Sequence, residues 1–185
     1  NSPGGSVFDA LAMFNDLLAH RGDVRVEITG IAASAATVLM MADTIAAAKN
    51  AVVMVHRSWG ATIGNEADHH DTAAILAKID TAMAKTYADK TGQPLKFVTD
   101  AMLAETWMSA EEAKAAGFVH EIIGESEAQA RWDLSRYRNV PAALKGNLSA
   151  RGERIHDQDQ IYKALRDFGT VKRRAWRISP RCSSS

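Results

Sequence analysis

Three short stretches of the chain hold residue types that together could cleave an acyl bond. Ser34 lies in Gly30-Ile31-Ala32-Ala33-Ser34-Ala35-Ala36, at the end of a strand-like run and the start of a small-residue segment too slight to shield its hydroxyl. The start of a helix there offers unpaired N–H groups and a dipole that favour developing negative charge. A serine hydroxyl is inert without a base, so taken alone Ser34 reads first as a helix cap. His56 closes the apolar run Val52-Val53-Met54-Val55, at a strand end rather than in a polar loop. A neutral imidazole in that place can take a proton from a hydroxyl and return it to a leaving amine, although a lone histidine there reads more simply as a hydrogen-bonded structural residue. The turn Asn1-Ser2-Pro3-Gly4-Gly5 puts glycine N–H groups directly before a helix, which suits an oxyanion or a phosphate.

Other polar groupings carry blander meanings. Asp68-His69-His70-Asp71 holds metal-ligating types, but adjacent residues at the start of a helix point away from one another, so an exposed polar face is expected and no metal. The basic run Lys172-Arg173-Arg174-Ala175-Trp176-Arg177 could contact phosphates and stack on bases, yet it reads better as a solvated chain end. Met13, Met40, Met41, Met54 and Met83 fit core packing.

These residues need elements to hold them. Val7, Leu11, Met13, Phe14, Leu17 and Leu18 recur at helical spacing and predict a helix over 6–20. Val24-Arg25-Val26-Glu27-Ile28 alternates apolar and charged side chains, as a strand does. The alanine-rich stretch 33–47 predicts a buried helix, and 51–56 a second strand ending on His56. A long helix is expected over 66–90, ended by Thr91-Gly92-Gln93-Pro94. A short one runs to about 103, and another is capped by Ser109 with Glu111 and Glu112 in its first turn. Gly117 then precedes a strand-like run over 118–123. Strands separated by helices predict an α/β domain with mostly parallel pairing. The leading glycine turn has no strand before it and the chain no initiator Met, so the sequence reads as a fragment lacking its N-terminal strands. Residues 1–124 form the expected principal domain. Residues 125–185, polar with scattered Trp132, Tyr137 and Trp176, are expected to be an appendage, part helical and part disordered.

Composition narrows the partners. Twenty-two basic residues balance twenty-two acidic ones, so no global field draws the protein to nucleic acid or to an anionic membrane. No apolar run approaches the roughly 20 residues that cross a bilayer. One cysteine, Cys182, can make no internal disulfide, which suits a reducing, cytoplasmic setting.

In order and spacing, the glycine turn, the Gly-x-Ala-Ala-Ser segment, the Met-Val-His strand end, Tyr87-Ala88-Asp89-Lys90-Thr91-Gly92-Gln93 and Met108-Ser109-Ala110-Glu111-Glu112-Ala113 resemble the proteolytic subunit of the caseinolytic Clp protease. The resemblance implies a crotonase-like fold of stacked βαβ units and a Ser-His-acid triad. It also implies homo-oligomeric rings that admit unfolded chains, with the long helix as the handle joining rings. Ser34 becomes the nucleophile, His56 the base, and the N–H groups of Gly5 and Ala35 the oxyanion donors. The family's aspartate falls on Glu105, with Asp100 as the nearest alternative acid. That glutamate, with the Trp-Met after it, looks more like the Clp-like proteases of phages and prophages, which process capsid or scaffold proteins. No cofactor is implied, and any ATP dependence would come from a partner AAA+ unfoldase, since the chain has no P-loop. Two other readings stay open: a crotonase-type acyl-CoA enzyme, and a truncated or impaired subunit with an assembly role.

Overall fold

In the computed structural model, which describes residues 1–41, 43–125 and 133–145, the elements run α1 (Val7–Ala19), β1 (Arg25–Ile28), β2 (Ile31–Ala33), α2 (Ala36–Leu39), β3 (Thr44–Ala48), β4 (Val52–Val55), α3 (Glu66–Thr91), α4 (Leu95–Leu103), β5 (Thr106–Ser109), α5 (Ala110–Ala115), β6 (Glu121–Ile123) and α6 (Ala142–Lys145). The expectations resting on Trp132, on the basic run with Trp176 and on Cys182 lie outside the described residues. The strands form two three-stranded sheets, β1-β3-β6 and β2-β4-β5. Every pairing is parallel except β4 with β5, so the α/β class with mostly parallel strands holds.

The helices begin where side chains satisfy their free N–H groups. Ser6 accepts from the Asp9 N–H at the start of α1, whose inner face buries Ala10 and Phe14. Asn65 and Asp68 form a reciprocal capping box on α3, and Ser109 and Glu112 form another on α5. Asp68, one of the metal-ligating types in the Asp-His-His-Asp run, is therefore engaged at the helix start, and His70 pairs with Glu66 one turn away.

The expected helix over 33–47 does not form. Only its beginning is helical, as the single turn α2, and its end is the strand β3. β3 lies between two parallel neighbours, with Ala46 opposite both Glu27 and Glu121, and Ala46, Ala47 and Ala48 are completely buried. Alanine favours a helix over a strand by well under ~1 kcal/mol per residue. Ladder hydrogen bonds along both edges outweigh that, and the small side chains fit the close-packed interior around the strand.

The principal core joins α1, α2, β3, α5 and the C-terminal half of α3, with Phe14, Val38, Met40, Tyr87, Val98 and Phe118 inside it. A second, smaller core packs Ile31, Ala33 and Met54 against Leu134, Tyr137 and Val140. No helix among the described residues is long and apolar enough to cross a membrane.

Candidate active site

Parallel pairing of β2 with β4 sets Ala33 beside Met54, so the residues that follow each strand emerge at the same sheet edge. Ser34 follows β2 in the left-handed region, φ 55°, as the chain turns sharply from strand into α2. For a residue other than glycine that conformation is strained, and surrounding bonds must hold it. The Ser34 N–H donates to the Met54 carbonyl at 2.9 Å. The Thr37 hydroxyl donates to the Ser34 carbonyl at 2.5 Å and lies 2.6 Å from the Tyr87 hydroxyl. Because the single Thr37 proton is committed to Ser34, the Tyr87 hydroxyl is the donor in the second contact. Burial pushes the Tyr87 phenol well above its ordinary pKa, so this chain from α3 stays protonated.

With its backbone fixed, the half-buried Ser34 places Oγ 2.8 Å from His56 Nε2, within reach for proton transfer. Residues just after His56 are tied to α3: Asp80 accepts from the Ser58 N–H at 2.7 Å and hydroxyl at 2.6 Å, and pairs with Arg57 at 2.7 Å. Burial holds the His56 imidazole below its ordinary pKa of 6.5; the charge of Glu105 opposes this, Arg136 reinforces it, Asp80 opposes it and Arg138 reinforces it. The ring is thus neutral near pH 7, the form that accepts a proton. A reaction needing that form fails as pH falls through the His56 midpoint, so the acid limb of a pH–rate profile is expected below 6.5. A limb clearly above that value would contradict the burial.

The glycine turn meets the nucleophile directly. The Ser2 N–H donates to Ile31 at 2.7 Å and the Ala33 N–H to Ser2 at 3.0 Å, which lashes the turn along β2. Gly4 then takes φ 92°, and a side chain there would stand 2.6 Å from the Ala33 carbonyl oxygen and 2.7 Å from Ser34 Cβ. Among the described residues, neither the Gly5 N–H nor the Ala35 N–H has an acceptor within the protein.

Antiparallel pairing of β4 with β5 sets Val55 opposite Thr106, which brings His56 and Glu105 to the same end of the ladder. The two are near in space but are not hydrogen-bonded. Glu105, at φ 51°, accepts instead from the Asn139 N–H at 2.7 Å and from the Trp107 indole at 3.4 Å. Asp100, the alternative acid, sits in an exposed pair with Lys96 on α4. The structure therefore unites Ser34, His56 and the glycine turn, and leaves Glu105 acting on His56 only through its charge.

His56 divides two hollows. One, of about 540 Å³, lies on the Ser34 side and is mainly apolar, with Val7, Phe8, Ile75, Leu76 and Met83 in its walls. The other, of about 370 Å³, is polar and includes Glu105, Arg136, Arg138 and Asn139. Sequence reasoning missed Thr37, Tyr87 as the brace behind Ser34, and the whole contribution of 133–140. For the last, the spacing of Leu134, Tyr137 and Val140 three apart hinted that they are buried, but not which elements they cover.

The family model of the Clp protease matches residues 1–126. The ATP-dependent Clp protease proteolytic subunits of two strains of Bacteroides fragilis are each 32% identical over 126 residues, 66% of this chain. The chain spans only 61% and 57% of the length of these relatives. Among solved structures, a point mutant of ClpP1 from Listeria monocytogenes superposes with a TM-score of 0.62 at 25% identity, over 68% of this chain and 71% of that one.

Proposed function

The chain belongs to the Clp protease family, and from that premise we propose that it is a serine endopeptidase acting on unfolded or assembly-bound polypeptides. The observation that carries the proposal is the 2.8 Å contact between Ser34 Oγ and His56 Nε2 at a strained strand-to-helix turn. Ser34 Oγ attacks the scissile carbonyl carbon as its proton passes to His56 Nε2. The Gly5 and Ala35 N–H groups receive the resulting oxyanion. The carbon–nitrogen bond breaks, and the departing amine takes the proton from His56. A water then gives a proton to His56 and attacks the acyl ester, and Ser34 Oγ recovers that proton as the acid leaves. The mainly apolar hollow beside Ser34 suits the side chain of the residue next to the scissile bond.

Glu105 serves here through its charge, favouring the imidazolium that forms during attack. Replacing it with glutamine is expected to lower kcat about tenfold, against the ~10⁴-fold loss seen where an acid holds the histidine by a hydrogen bond. The same change removes the charge that raises the His56 pKa, so the acid limb should move to lower pH. A loss near 10⁴ would instead assign Glu105 a direct bond to His56 during the reaction.

Homo-oligomeric rings fit the apolar side chains left exposed on one subunit, among them Phe8, Leu18 and Ile75. An AAA+ unfoldase would deliver folded substrates; capsid or scaffold proteins would be substrates if the protein is of the phage type; and a cytoplasmic setting suits the lone cysteine. No observation specifically favours an acyl-CoA activity or a purely structural role. The test is degradation of an unfolded polypeptide by the assembled protein. Loss of degradation in Ser34→Ala is the expected result, and degradation that survives the substitution would overturn the proposal.

A further inference from the structure

The segment that crosses the site comes from beyond the residues matched to the family, which end at 126. Leu134, Tyr137 and Val140 are buried against Ile31, Ala33 and Met54, so 133–140 lies along the β2-β4-β5 sheet as part of its core. Tyr137 and, at 3.4 Å, Arg136 both donate to the Pro3 carbonyl, while Asn139 reaches Glu105 and Ala104. The Tyr137 hydroxyl donates to the Pro3 carbonyl of the glycine turn at 2.5 Å. The Tyr137 ring stands edge-on to His56, with centroids 5.3 Å apart and planes at 87°, and is itself backed by Trp107 at 5.8 Å. Two residues on, the Asn139 N–H holds Glu105, and its side-chain amide donates to the Ala104 carbonyl at 2.8 Å.

We propose that Tyr137 is a positioning residue for the peptidase reaction, holding the His56 imidazole toward Ser34 with its ring and orienting the oxyanion turn with its hydroxyl. The inference rests on the peptidase reading given above. Its physical basis is that the imidazole can turn about its side-chain bonds and that the Pro3–Gly4 peptide is otherwise held by longer bonds, Gly4 N–H to Ser2 Oγ at 3.2 Å and Arg136 to the Pro3 carbonyl at 3.4 Å. One rigid, nearly buried side chain thus steadies both. The ring covers one side of the imidazole, removing rotamers and water together. The hydrogen bond sets the plane of the Pro3–Gly4 peptide, and through it the direction of the next N–H, that of Gly5. The Arg136 guanidinium lies 5.1 Å from the Tyr137 ring centre and holds the ring from outside.

Two variants separate these duties. Tyr137→Phe keeps the ring against His56 and loses the bond to Pro3, so kcat should fall about tenfold, with KM within about twofold and an unmoved acid limb. Tyr137→Leu keeps an apolar side chain in the small core but strips the aromatic edge from His56, so kcat should fall about 100-fold. The His56 midpoint should then rise toward its ordinary value, read from its ring resonance by NMR after assignment with His56→Gln. The charged groups facing that ring are Glu105 at the head of β5, Asp80 on α3, and Arg136 and Arg138 on the segment itself. Loosening the segment withdraws the two arginines, which moves the midpoint in the same upward direction. A residue that merely fills the core would leave Tyr137→Phe fully active, and that result overturns the proposal, as does an unshifted His56 midpoint in Tyr137→Leu. A wild-type protein that hydrolyses nothing sinks the peptidase reading alone, because the NMR midpoint of Tyr137→Leu still decides whether Tyr137 holds His56.

Discussion

Replacing Ser34 with alanine is expected to lower peptide hydrolysis by about 10⁵- to 10⁶-fold, the loss typical when a serine nucleophile is removed from an intact site. The substitution deletes one oxygen, whose hydrogen bond is to His56, and leaves the backbone bonds to Met54 and Thr37 in place. Alanine at φ 55° is strained much as serine is, so stability should change by no more than ~1 kcal/mol. Activity and melting temperature measured on the same preparation separate the two effects. A variant that loses activity only in proportion to its unfolded fraction would remove Ser34 from the chemistry.

Gly4→Ala should also be damaging, for a different reason. A Cβ at Gly4 would stand 2.6 Å from the Ala33 carbonyl oxygen and 2.7 Å from Ser34 Cβ, on a backbone at φ 92° that side chains rarely adopt. Neither neighbour can yield, since Ala33 is paired in the sheet and Ser34 is held at its strained turn. The glycine turn must therefore lift away, taking the Gly5 N–H with it, and kcat should drop about 100- to 1,000-fold. Stability should fall by about 1–3 kcal/mol as well. Gly5→Ala is the built-in comparison: nothing lies within 4 Å of the Cβ it would add, so about threefold loss at most is expected. Equal damage from both substitutions would show that the close approach of the turn to Ser34 is not what matters.

How much of this could be read from residues alone varied with the physics behind each part. α1, α3 and α5 follow from apolar spacing and from their caps at Ser6, Asn65 and Ser109, all local signals. Ser34 and His56 were legible because a strand end marks each of them. β3 was not, because Thr44–Ala48 has the composition of a helix and becomes a strand only when β1 and β6 lie on either side, a condition set by residues far along the chain. The same limit applies to Tyr137. Its tie to Pro3 spans 134 positions, and no local pattern reports on a partner so distant. Glu105 shows the opposite difficulty: position in the chain places it beside His56, but its carboxylate is drawn to Asn139 by a segment whose course the sequence did not reveal.

The central claim is that Ser34 is a nucleophile made reactive by His56. It is tested most directly by treating the protein with a fluorophosphonate and locating the adduct by peptide mapping. One adduct on the peptide carrying Ser34 is predicted, abolished in Ser34→Ala and slowed by orders of magnitude in His56→Gln. Its formation rate in the wild type should fall as pH drops through a midpoint below 6.5. An adduct on another serine, or labelling of Ser34 at an undiminished rate without His56, would contradict the account.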